Sequence, residues 1–221
     1  MKVFLCIVIL FSLYSCIEIS DDITIHNDGS GTFRYKINLS ESKIKVNSIL
    51  ALDSIDGKPV PSIAQISSKV NEFVRLLDAQ AGISNVLVEE NYTDFIFKFS
   101  CDFTSIKQLQ DAIRLSIAQI SKDKLTSPAD QYWLSWDGNT LTRNIPSYLT
   151  QQIKSYKIQE VELLKEGVYT SIARFDRPVV SFQNKTATLS KNQMAVMVRA
   201  NTFALKENQH LLDNTITLAP K

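Results

Sequence analysis

Few side chains in this sequence have the type and spacing that metal binding requires. The 221 residues include two histidines: His26 is expected at the end of a strand beside a turn, and His210 lies in a polar run near the C-terminus. Both are predicted to be solvated. The sequence has no His-Glu-x-x-His, no paired Cys-x-x-Cys and no compact His/Asp/Glu cluster, so neither a metal site nor a cofactor is expected. Asp53, Asp56 and Gly57 resemble a fragment of a calcium loop, but the remaining acids are missing and an ordinary loop is favoured.

Motifs for nucleophilic catalysis are equally sparse. No Gly-x-Ser-x-Gly occurs, and Gly29-Ser30-Gly31 lies between two alternating segments, where a hairpin turn is expected rather than a nucleophile elbow. Any two of the 23 acidic residues could meet in space as a glycosidase pair, but nothing singles one pair out. The sequence therefore predicts no catalytic residue and a protein that is not an enzyme, with a hydrolase as the less favoured alternative.

One cysteine lies inside a phenylalanine-rich segment. Phe95, Phe97, Phe99, Cys101 and Phe103 occupy alternate positions and so share one face of a predicted strand. A reactive thiol needs exposure and neighbouring positive charge. The alternation predicts instead that Cys101 is a small buried side chain.

Tyr132, Trp133 and Trp136 form the densest aromatic cluster, beside a turn at Asp137-Gly138. Aromatic side chains in this position could stack on a sugar or enter a lipid interface. Ordinary core packing is the favoured reading, and the three residues remain candidate ligand or interface residues.

The N-terminus has the pattern of a secretory signal peptide. Lys2 is the one charged residue before Glu18, and an apolar run of eleven residues extends from Val3 to Leu13. A bilayer-spanning helix needs about 20 apolar residues. A charged start followed by a short apolar core and small residues is typical of a secretory leader.

The end of this leader resembles the lipobox of bacterial lipoprotein signal peptides. Leu13-Tyr14-Ser15-Cys16 has leucine three residues before the cysteine and a small residue directly before it, although Tyr14 departs from the usual small residue. The resemblance implies cleavage between Ser15 and Cys16, a thioether-linked diacylglycerol on Cys16, and N-acylation. Two or three acyl chains anchor a protein firmly, so the implied partner is a membrane, reached through Cys16.

Composition and charge exclude several other classes. Hydrophobic residues make up 44% and charged residues 21%, which is typical of a folded domain and too apolar for a disordered chain. The formal charge is +1, and it becomes zero when the leader with its single lysine is removed. Nothing in this balance favours nucleic acid as a partner.

Hydrophobic periodicity predicts an α+β fold in one compact domain, with antiparallel β-hairpins alternating with three helices packed on the sheet. The predicted organisation is a signal peptide at 1–15, a lipidated N-terminus with a short tether or first strand at 16–22, and the domain at 23–221. Three hairpins are expected, with turns at 27–31, 91–94 and 137–139. Three helices are expected to begin after Ser62, after Thr104 and at Pro146, followed by strands at 168–175, 179–182 and 194–200, a short helix at 203–212, and an edge strand at 215–218.

Several short segments resemble a group of uncharacterised Bacteroidota lipoproteins. They are Cys16-Ile17-Glu18-Ile19, Asp21-Asp22, the segment 27–32, Gly82–Val86 and Arg174–Val179. The resemblance implies a bacterial envelope protein, lipid-anchored at the outer membrane, and it carries over no catalytic residue. The acidic stretch Ser20-Asp21-Asp22 starts four residues after Cys16, further than in the surface-export signals of that phylum, so a periplasm-facing orientation is favoured over surface exposure.

Three functions fit these observations. The favoured one is a non-catalytic envelope lipoprotein that acts as an interaction or assembly module with an envelope protein partner. The alternative is a carrier for lipid or glycan, which would require an apolar cavity of at least about 300 Å³. A hydrolase would require a cleft with converging carboxylates and a shifted pKa.

Overall fold

The computed structural model describes residues 17–55, 57–121, 132–145 and 165–221. The predicted leader, Cys16 and the helix predicted to begin at Pro146 lie outside these residues. None of the described helices is long and apolar enough to cross a membrane.

Thirteen strands and four α-helices are formed by the described residues. The strands are β1 Glu18–Ile25, β2 Gly31–Asn38, β3 Ser54–Ile55, β4 Lys58–Pro59, β5 Ile83–Asn91, β6 Ile96–Phe103, β7 Leu134–Trp136, β8 Thr140–Arg143, β9 Val168–Phe175, β10 Val179–Phe182, β11 Thr188–Leu189, β12 Ala195–Asn201 and β13 Asn214–Leu218. The helices are α1 Lys43–Leu50, α2 Ile63–Asp78, α3 Ile106–Ser121 and α4 Thr202–Glu207, with 3-10 turns at Ser40–Ser42 and Gln209–Leu212.

The strands form two main sheets. Sheet I has seven strands in the order β11-β12-β9-β1-β2-β6-β5, and sheet II has four in the order β10-β13-β8-β7. The predicted α+β class and the three hairpins are confirmed. Two details differ from the prediction: β1 pairs in parallel with β9, and β13 is an interior strand of sheet II rather than an edge strand.

One face of sheet I carries the apolar side chains at alternate positions, as period-2 patterning requires. Half of this face packs against sheet II, where Ile23, Phe175, Leu141 and Ile216 belong to one buried cluster. The other half packs against α2 and α3, whose residues Leu77 and Leu109 are fully buried in the same cluster. The two sheets and the helices therefore share a continuous core.

Helix α2 begins where the sequence predicted. Ser62 caps it through a capping box with Gln65, in which each side chain bonds the backbone N–H of the other residue. For α3 the cap is Ser105 and not Thr104, because the Ser105 hydroxyl accepts the bond from the Gln108 backbone N–H at 3.2 Å.

The segment between β2 and α2, predicted to be irregular, contains α1 and the short hairpin β3–β4. The phenylalanine-rich strand β6 begins one residue later than predicted, at Ile96 rather than at Phe95. Phe95 lies in the turn before β6 with a φ of 52° and is buried there, so it does not continue the strand face.

Candidate functional site

An open groove of about 980 Å³ lies between α2 and the half of sheet I formed by β2, β6 and β5. Alternate residues of β2 and β6 form its floor, with Tyr35 and Ile37 beside Phe97 and Phe99. The facing wall comes from the apolar stripe of α2, whose members are spaced four and three residues apart. The other apolar lining residues are Leu39, Pro59, Val60, Pro61, Ile66, Val70, Phe73 and Val88.

The groove is open because α2 packs closely on the sheet at its C-terminal end only. Leu77 near that end has no exposed surface, and the Phe73 ring meets the Phe99 ring edge-on at 5.6 Å. Towards the N-terminus the stripe becomes steadily less buried, and Ile63 is 41% exposed. Helix and sheet therefore separate towards the start of α2.

The lining leaves many apolar side chains half-exposed along one continuous surface. Exposed apolar surface is unfavourable in water by roughly 25 cal/mol per Å². Contiguous apolar surface in a concave site is typical of ligand-binding grooves, whose volumes run from about 300 to 1,000 Å³. The groove volume of about 980 Å³ therefore exceeds the roughly 300 Å³ expected for a lipid or glycan carrier.

Charged side chains of the groove are engaged with one another or with neighbouring groups. Lys69 pairs with Glu72 at 3.2 Å and Lys98 with Glu89 at 2.6 Å. Glu90 accepts hydrogen bonds from the Tyr92 and Ser67 hydroxyls. The three glutamates thus have separate partners.

Tyr35 places a phenol on the groove floor. Burial, together with the nearby Asp21 carboxylate, raises the pKa of Tyr35 to about 12, so it is a neutral group at physiological pH. Among the described residues no group of three His, Cys, Asp or Glu side chains could hold a metal ion. The groove can therefore accommodate an apolar molecule on a largely apolar lining.

A buried ion pair lies beside this floor and joins the two sheets. Asp21 of β1 accepts bonds from Arg143 of β8, from Nη1 at 2.8 Å and from Nη2 at 3.1 Å. The Tyr169 hydroxyl donates to the same carboxylate at 2.6 Å, and the Ser171 hydroxyl lies 3.1 Å from it. Both charged side chains are buried, and Asp21 pairs across the sheet with groove residue Tyr35.

Electrostatics of this cluster favour the ionised pair. Burial opposes the charge of Arg143, but Asp21 outweighs it and holds the pKa of Arg143 above its usual range. Burial and the same carboxylate raise the pKa of Tyr169 well above its usual value. The cluster was missed at the sequence level, although an aspartate at an inward position of an alternating apolar strand signals a buried partner.

The candidate site residues predicted from the sequence fall into two groups. Ser15 and Cys16 lie outside the described residues. Tyr132, Trp133 and Trp136 lie away from the groove: the Tyr132 hydroxyl donates to Asp111 at 2.7 Å, and the Trp136 ring stacks on Phe175 at 6.2 Å. Trp133 packs against the buried core. Their role as ligand or interface residues stays a prediction.

Both histidines are exposed but have acidic neighbours. His26 Nδ1 is 3.1 Å from the Asp176 carboxylate, and His210 Nδ1 is 2.6 Å from that of Asp213. Neither lies in the groove. Cys101 is a buried thiol in β6, and burial raises its pKa to about 12.

Comparison with known proteins gives little further guidance. No protein-family model and no curated protein matches the chain. Among solved structures, the folded domain of Mycobacterium tuberculosis LppM, determined by NMR, aligns over 93% of this chain and 91% of its own. The identity is 12% and the TM-score 0.41, values too low to support an argument about fold family or function. The resemblance to Bacteroidota lipoproteins therefore stays a prediction.

Proposed function

We propose that this protein is a non-catalytic bacterial envelope lipoprotein that binds the acyl chain of a lipid in the groove between α2 and sheet I. The observation that carries the proposal is the groove itself, about 980 Å³ in volume and lined mainly by half-exposed apolar side chains. Anchoring is supported by the lipobox-like sequence ending at Cys16.

The chemistry of the lining favours an aliphatic chain over a glycan. Branched aliphatic side chains and prolines outnumber the aromatic rings, and sugar hydroxyls would find few free polar partners there. The margin carries two lysines and three glutamates, so it does not select a headgroup of one sign.

The test is titration of the purified protein with a fatty acid that fluoresces only in apolar surroundings. Val70→Trp fills the groove from α2, and Val180→Trp makes the same change at an exposed position of β10 outside the groove. Crowding of about 1–3 kcal/mol corresponds to an affinity weakened by roughly 5- to 150-fold for Val70→Trp. Saturable binding that both variants retain equally, or no binding by the unaltered protein, would refute the proposal.

Orientation towards the periplasm is part of the proposal and is supported by β1. An export signal must be accessible, yet residues 20–22 belong to this strand and Asp21 is 4% exposed. Protease treatment of intact cells tests this: a periplasm-facing protein resists digestion until the outer membrane is permeabilised. The assembly-module hypothesis, with an envelope protein as partner, stays a prediction that co-purification would test.

A further inference from the structure

Three of the six large apolar side chains that are exposed among the described residues lie in one short stretch of the chain. Ile44 in α1 is 76% exposed, Leu52 after it 51%, and Ile63 at the start of α2 41%. No residue of α1 is buried. We call the segment 43–63 the apolar edge.

The apolar edge is held together at the mouth of the groove. Leu52 continues directly from α1, with its backbone N–H bonded to the Ile49 carbonyl at 3.0 Å. The β3–β4 hairpin then folds the chain back, and the Val60 N–H bonds the Asp53 carbonyl at 3.1 Å. Leu52 is thereby brought beside residues 59–61, which line the groove and lead into Ile63.

This edge lies at the end of sheet I where the described chain begins. Glu18, the first residue of β1, pairs with Asn38, the last of β2, and their side chains are hydrogen-bonded at 3.0 Å. The chain continues from Asn38 into the apolar edge, and Lys43 pairs with Asp94 in the β5–β6 turn at 3.2 Å. Since adjacent strands are about 4.8 Å apart, the start of β1 lies within a few strand spacings of this surface.

We propose that the apolar edge is a membrane-docking surface, which inserts into the bilayer that holds the acyl chains of Cys16. The proposal rests on the predicted acylation of Cys16 and not on ligand binding in the groove. Ile17 is buried in the domain and β1 starts at the next residue, so an acylated Cys16 leaves almost no tether. The end of the sheet that carries the exposed Ile44, Leu52 and Ile63 therefore meets the membrane surface.

The charged residues of the apolar edge indicate what type of lipid headgroup it can bind. Residues 43–63 contain three lysines and two aspartates, with Lys43 already paired to Asp94. Attraction to anionic lipid is consequently weak, and burial of apolar side chains supplies the binding. Apolar faces of interfacial segments enter the headgroup region to a depth of about 5–10 Å. Docking in this pose places the groove mouth at the lipid surface.

The experiment labels single cysteines in the full-length protein, expressed in a bacterial host and reconstituted into phosphatidylcholine vesicles. Ile44→Cys, Leu52→Cys and Ile63→Cys report on the apolar edge. Leu87→Cys and Val180→Cys are matched controls, with 66% and 61% exposure on other surfaces. Each carries a polarity-sensitive fluorophore, while Cys101 is buried and stays unlabelled. Acylation is verified by mass spectrometry of the N-terminus.

Docking predicts a blue-shifted emission at the three edge positions and loss of their fluorescence when nitroxide-bearing lipids are included, with neither change at the two controls. An acylated protein in which the edge labels behave like the controls would overturn the docking surface. Crosslinking between copies through the edge, without quenching by lipid, would overturn it in favour of a dimer.

Two further outcomes distinguish the acyl anchor and ligand binding in the groove from the docking surface. An unacylated protein whose edge labels remain in water overturns the anchor and the docking surface together. Fatty-acid titration of the same labelled proteins measures ligand binding in the groove independently. If ligand binding is absent while quenching by nitroxide-bearing lipids persists, the proposed function is refuted and the docking surface is not.

Discussion

Removing the carboxylate charge of Asp21 is expected to destabilise the protein strongly. Asp21→Asn keeps the size and shape of the side chain but leaves the Arg143 guanidinium buried without a counter-charge. Asp21 is 4% exposed and Arg143 9% exposed, so water cannot replace the lost partner. Among the described residues, Arg143 Nε has no hydrogen-bond partner, so the guanidinium depends on its contacts through Nη1 and Nη2.

Breaking a buried ion pair from one side typically costs about 3–5 kcal/mol. We expect this loss in the free energy of unfolding for Asp21→Asn and for Arg143→Met. The double variant buries a neutral amide beside an apolar chain, so its loss is expected to fall short of the sum by roughly 2–3 kcal/mol. Asp22→Asn is the matched control, because its pair with Arg174 is partly exposed and is expected to contribute at most about 1 kcal/mol.

Urea unfolding followed by tryptophan fluorescence measures these values in a chain that begins at residue 17. Trp136 of sheet II stacks on Phe175 of sheet I, so its emission reports on the contact between the sheets. A loss for Asp21→Asn no greater than that for Asp22→Asn would refute the reasoning. Additive losses in the double variant would also refute it.

Further predictions concern single positions. Cys101 is expected to react with a thiol reagent only after unfolding, because it is buried and its pKa is raised to about 12; rapid labelling of the folded protein would contradict this. Folding raises the pKa of Cys101 from 9.0 and that of Tyr35 from 10.0, both to about 12. Because the unfolded chain then loses these protons at lower pH than the folded protein does, the free energy of unfolding should fall as pH rises from 9 to 12. Urea titrations at several pH values measure this fall, and Tyr35→Phe should reduce it. Gly31→Ala is expected to cost more than about 2 kcal/mol in thermal unfolding, because a Cβ there would overlap the Thr24 carbonyl oxygen. Ser62→Ala should cost about 1 kcal/mol through loss of the capping box, whereas an unchanged melting temperature would show that the cap contributes nothing.

Local patterns predicted most of the strands and three of the four α-helices among the described residues. Alternation in residues 17–39 predicted β1 and β2, because both strands and the turn between them lie within one short stretch. The parallel pairing of β1 with β9 was not predictable, since it joins residues about 150 positions apart. Helix α1 was missed because its cap residue Ser42 makes no side-chain cap bond and its apolar residues form no stripe.

The groove was predictable in its residues but not in its volume. Phe97 and Phe99 were predicted to share one strand face, and the spacing of Ile66, Val70 and Phe73 is that of an apolar helix stripe. Whether those side chains touch or leave a gap depends on the distance between helix and sheet, which periodicity does not encode. Asp21 shares a strand face with Ile23 and Ile25, and Arg143 shares one with Leu141, so polar residues at these alternate positions were the signal that could have identified the buried cluster.

The position of β1 inside sheet I determines the order in which the protein is completed during biogenesis. Strands β1, β2, β6 and β5 are encoded in the first half of the chain, so they are synthesised together. The opposite side of β1 pairs with β9, which arrives only with residues 168–175. Until then the nascent chain displays an unpaired strand edge, and exposed edges invite aggregation. Products truncated before β9 should therefore be substrates for quality control.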